Sequence, residues 1–74
     1  MKTVQVFRTD VPDQDAAADI VLVLKECYAH CSINFDMDDC DRILRIESPY
    51  ESVEDIAVQS LLAGYGYHCE PLQD

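Results

Sequence analysis

Along the first third of the chain the spacing of apolar residues changes once. Residues 3–9, TVQVFRT, are rich in β-branched side chains and roughly alternate apolar with polar, the period of a strand with one face covered. From Ala17 the apolar positions recur every three or four residues, at Ile20, Val21, Leu24, Cys27, Tyr28 and Cys31, with Asp19, Lys25, Glu26 and His30 falling mostly between them. That spacing predicts an amphipathic helix running to about Cys31, with Cys27 and Cys31 on its inner stripe. Its start is marked by DVPDQD: Asp10 as a cap, Pro12 in the first turn, and Asp13 and Asp15 at the positive end of the helix dipole.

Alternation returns at 33–38, where Ile33, Phe35 and Met37 oppose Asn34, Asp36 and Asp38. DDCD (38–41) makes a turn, and RILRIE (42–47) runs back with Leu44 and Ile46 on one face and Ile43, Arg45 and Glu47 on the other. SPYE interrupts, and SVED (52–55) has the form of a capping box with Asp55 in place of the usual Glu, predicting a helix from Val53 to about Gly64. GYG supplies a helix end and a turn. YHCEPL (67–72) is a last short strand, which Pro71 confines to an edge or an end. The order β-α-β-β-α-β predicts an α+β fold, the ferredoxin-like sandwich of a four-stranded antiparallel sheet with two helices on one face, as a single domain over residues 1–74.

Size and charge narrow the function. A chain of 74 residues sits near the lower limit for one self-sufficient core and has little room for a deep pocket. Fifteen acids against five Lys and Arg leave a formal charge of −10, which repels a phosphate backbone and excludes nucleic acid as the expected partner. The longest apolar stretch, Ile20 to Leu24, is too short to cross a bilayer, and no signal-peptide pattern precedes the first strand. The expectation is a soluble cytoplasmic protein whose Cys27, Cys31, Cys40 and Cys69 remain thiols. No nucleophile stands beside a suitable base, so no enzyme and no cofactor is expected.

The hairpin INFDMDDCDRILRIE, the VEDI helix start and the final GYHCEPL, together with the strand ending in FRTDV, resemble the heavy-metal-associated domain, as found in small bacterial copper-chaperone-like proteins. The resemblance spans nearly the whole chain and implies the same fold. The family's Met-x-Cys-x-x-Cys motif, whose paired thiolates suit a soft ion, falls on VPDQDA, where Val11 takes the Met position and Asp13 and Ala16 replace the two cysteines. The resemblance therefore implies the fold with its usual metal site lost.

Three other constellations remain. Cys27 and Cys31, with or without His30, are either core residues or a metal or redox pair; Asp13 with His68 or Cys69 is a second candidate ligand set. DMDDCDRILRIE matches parts of a calcium loop at Asp36, Asp38, Ile43 and Glu47, but Cys40 and Asp41 stand where an oxygen ligand and a glycine are required. Finally, Asp10, Asp13 and Asp15 are expected at one pole of the molecule with Asp38, Asp39 and Asp41, near Tyr65, Tyr67 and His68. This pole is either a solvated acidic end or a surface for a hard cation or a basic protein. The leading expectation is a small adaptor or binding module with a degenerate soft-metal site, a monomer or weak dimer through its open sheet face. The alternative is a metal-handling protein using the remaining ligands.

Overall fold

The computed structural model describes residues 2–38, 42–50 and 53–72. Its elements follow the order β1 (Thr3–Thr9), α1 (Gln14–Cys27), β2 (Ser32–Asp36), β3 (Ile43–Ser48), α2 (Asp55–Gly64) and β4 (Cys69–Pro71). The class is α+β: the described residues form two helices and one antiparallel sheet with strand order β2-β3-β1-β4. The central pair β1 and β3 is in register from Thr3 opposite Ser48 to Arg8 opposite Ile43. Beside it, β2 and β4 form the two edges.

Register decides which side chains share a face. Phe7 stands opposite Leu44, which stands opposite Phe35; Gln5 stands opposite Ile46, which stands opposite Ile33. Since side chains alternate along a strand, all six lie on one face, and Phe7, Ile33, Leu44 and Ile46 there are buried. They form a single core with Ala17, Ile20 and Leu24 of α1, Val58 and Leu62 of α2, and Cys69. The other face carries Val4, Val6, Arg8, Arg45 and Glu47. Ile43 also lies on that face yet is buried, standing between Arg8 and Asp36 of the neighbouring strands.

Both helices are shorter than their sequence pattern. α1 stops at Cys27, where Tyr28 leaves the helix (φ −131°, ψ 63°) while its N–H still reaches the Leu24 carbonyl at 2.7 Å. Cys31 then donates its backbone N–H to the Tyr28 carbonyl at 2.9 Å, closing the turn into β2. The chain has to leave the helix here to place Cys31 against the sheet, where its Sγ lies 3.3 Å from the buried Ser48 Oγ. Cys27, still within α1, is exposed, and Cys31 lies beyond the helix, so the expectation of two cysteines on one buried helical face is corrected.

At the other end of α1, Asp13 rather than Asp10 is the N-cap, accepting from the Ala16 N–H at 2.8 Å. α2 begins at Asp55, with Glu54 as an N-cap that makes no side-chain capping bond; Ser52 of the predicted capping box lies outside the described residues. The backbone there is held from the sheet instead. The Gln5 amide accepts from the Val53 N–H at 2.9 Å, and donates to the Val53 carbonyl at 2.9 Å and to Asp55 Oδ1 at 2.8 Å. Helix α2 ends through Gly66, whose φ of 88° favours a residue without Cβ, with the Tyr67 N–H returning to the Leu62 carbonyl at 3.0 Å.

Candidate functional site

Two of the acids expected at one pole, Asp10 and Asp13, and Asp36 of the calcium-loop match are already engaged in local structure. Asp10 Oδ1 accepts the His68 N–H at 2.7 Å while the Asp10 N–H donates to the His68 carbonyl at 3.2 Å, a two-bond clasp between the end of β1 and the approach to β4. Asp13 caps α1. Asp36 Oδ1 accepts the Asp38 N–H at 3.2 Å and so shapes the turn after β2. Each of these carboxylates has a structural task that needs no ligand. Asp15 lies in the first turn of α1, and Asp39 and Asp41 lie outside the described residues, as does Cys40. Tyr65 is exposed at the end of α2, and Tyr67 packs partly buried against the core.

The candidate metal ligands are held apart in character. His68 turns its imidazole towards Glu70, with Nε2 3.6 Å from Oε2. Glu70 is also bonded by the Arg8 guanidinium, and chiefly for that reason its carboxyl sits below the usual range. Cys69 is buried, and desolvation first, then the charges of Asp55 and Glu70, push its thiol up to about 11. A thiol held protonated is a poor ligand. Cys27 is exposed while Cys31 is buried beside Ser48. Among the described residues no three or more His, Cys, Asp or Glu converge on a point where a metal ion would be held.

Where the resemblance would place the motif's methionine, Val11 is fully buried in the core, and Asp13 at the expected first thiolate position is the α1 cap. Backbone bonding thus ties down the loop where that family is expected to hold its metal.

A feature that the sequence pattern did not single out lies between α1 and the free edge of β2. An open groove of about 600 Å³ runs there, floored by Val21, Ile33, Phe35 and Met37, with Asp36 and Asp38 at one end. A second depression of about 440 Å³ near Ala29 and Cys31 shares Lys25, Ile33 and Asn34 with it. Helical periodicity places Val21 and strand alternation places Phe35, but only the packing of α1 against the sheet leaves space between them.

No known protein family model, curated protein or solved structure matches the chain. Among the described residues no helix is long and apolar enough to cross a membrane.

Proposed function

We propose that this protein is a small binding module of the ferredoxin-like βαββαβ arrangement, similar to heavy-metal-associated domains, that acts on a protein partner and neither carries a soft metal nor catalyses a reaction. The strand order β2-β3-β1-β4, with both helices contributing to the core on one sheet face, supports the fold assignment. The observation that carries the functional reading is Asp13. At the position of a thiolate ligand stands a carboxylate already committed to capping α1, beside a fully buried Val11. The charge of −10 favours a basic partner and disfavours nucleic acid. Free thiols at Cys27, Cys31 and Cys69 fit a reducing, cytoplasmic setting.

Titration of the reduced protein with Cu(I), Zn(II) and Ca(II) tests this against the metal-handling alternative. The expected result is binding no tighter than about micromolar, the range of incidental ligands rather than a built site. A tight one-to-one Cu(I) complex that is lost on Cys27→Ser would replace the binding-module reading.

A further inference from the structure

The two edges of the sheet are not alike. A sheet edge exposes unpaired backbone N–H and C=O groups, and proteins blunt such edges with short strands, proline or lysine. β4 has three residues and ends in Pro71. β2, by contrast, has five residues, SINFD, with neither proline nor lysine, and among the described residues pairs only with β3. At about 3.3 Å per residue it offers an unblunted edge of roughly 16 Å. Directly beside this edge lies the groove under α1, floored by half-buried Val21, Phe35 and Met37 and walled by the exposed Ala18 and Leu22.

The geometry points to strand addition: an extended peptide segment pairs with the outer edge of β2 and sets alternate apolar side chains into the groove against α1. An edge supplies backbone hydrogen bonds and an adjoining groove supplies side-chain selection, which together make this mode of recognition. A second copy of the chain is disfavoured as occupant, because edge-to-edge pairing would join two molecules that each carry −10. A partner segment bearing Lys or Arg is attracted by the same charge, and the groove lining sets two acids, Asp36 and Asp38, against the one base Lys25. The occupant is therefore an extended segment alternating apolar and basic residues. This inference rests on the binding-module reading and names its surface and the chemistry of its partner.

The test uses a fluorescein-labelled, end-blocked nonapeptide alternating Val and Lys, compared with a Val and Glu counterpart and with an N-methylated Val and Lys version that cannot donate along one edge. Affinity is read by fluorescence anisotropy and the surface by amide chemical shifts of the labelled protein. Ala18→Arg and Leu22→Lys alter exposed groove walls and should leave unfolding unchanged, while Val4→Lys adds the same charge to the open sheet face as a control. The expected result is shifts confined to β2 and α1, with losses of about tenfold for the Glu peptide, the N-methylated peptide and the two groove variants, and less than about twofold for Val4→Lys. Equal weakening by Val4→Lys and Ala18→Arg, undiminished binding of the N-methylated peptide, or shifts centred on Val4 and Val6 would overturn the assignment. So would absence of peptide binding, or dimerisation through β2 on sedimentation. Tight metal binding in the titration above would overturn the underlying reading, whereas failure of peptide and metal alike removes only the groove.

Discussion

Cys69 combines burial with two acidic neighbours, and its thiol has a pKa of about 11 against an ordinary 9.0. An acid whose folded pKa is raised binds its proton more tightly when folded, so it leaves stability unchanged below pH 9 and lowers it as the unfolded thiol ionises above that value. The fall ends near pH 11, where the folded thiol ionises too, with a limiting slope of about 1.4 kcal/mol per pH unit from this group. Urea unfolding at pH 8, 9, 10 and 11 should show that decline, and Cys69→Ala should flatten it. An unchanged slope in the variant would mean that other groups cause the alkaline loss. Near neutral pH the same protonation makes Cys69 inert to a thiol reagent, while exposed Cys27 is open to it.

At the scale of the element, α1 is held by its inner stripe. Ala17, Ile20 and Leu24 are buried, and Leu24 is wholly enclosed. Replacing Leu24 by Ala removes buried methyl groups and leaves a cavity, a loss of about 2–5 kcal/mol that a chain of this size has little margin to absorb. Thermal unfolding should show a large drop in Tm or a protein already unfolded at room temperature, and a nearly unchanged Tm would contradict the assignment of this face. The inner stripe was visible in the sequence because it repeats at helical spacing. Where the helix stops was not, since Cys27 and Cys31 extend the same spacing and no glycine or proline interrupts it. Past Tyr28 the chain turns so that Cys31 meets the core beside Ser48, a contact that spans 17 residues.

For the whole molecule, the surplus of ten negative charges is the largest unbalanced term. Mutual repulsion among acids should weaken as salt screens them, so Tm should rise with sodium chloride. Asp10, Asp13 and Asp36 already satisfy backbone N–H groups, and calcium, magnesium and sodium are therefore expected to act alike at matched ionic strength. A bound ion would instead add a term that keeps growing with its concentration when ionic strength is fixed. A saturable extra rise in Tm with one divalent ion, abolished by Asp13→Asn combined with Asp39→Asn, would establish a cation site at the acidic end.

What the sequence by itself determined is the order of elements, most of the inner face of α1, β2 and β3, and the charge, because these depend on residue type and on periods of two and 3.6 that are local to the chain. Alternation placed Ile33, Phe35, Leu44 and Ile46 inward, and three- and four-residue spacing placed Ile20 and Leu24 against them. Tertiary structure alone decided how the elements end and what lies between them. The Gln5 side chain holds the start of α2 from 48 residues away, Asp10 is drawn to His68 across 58, and Ile43 is buried between its neighbours Arg8 and Asp36 on other strands. The groove beside β2 belongs to the same class. It is a gap between two elements, set by the angle at which a helix rests on a sheet, and no local pattern of residues encodes such an angle.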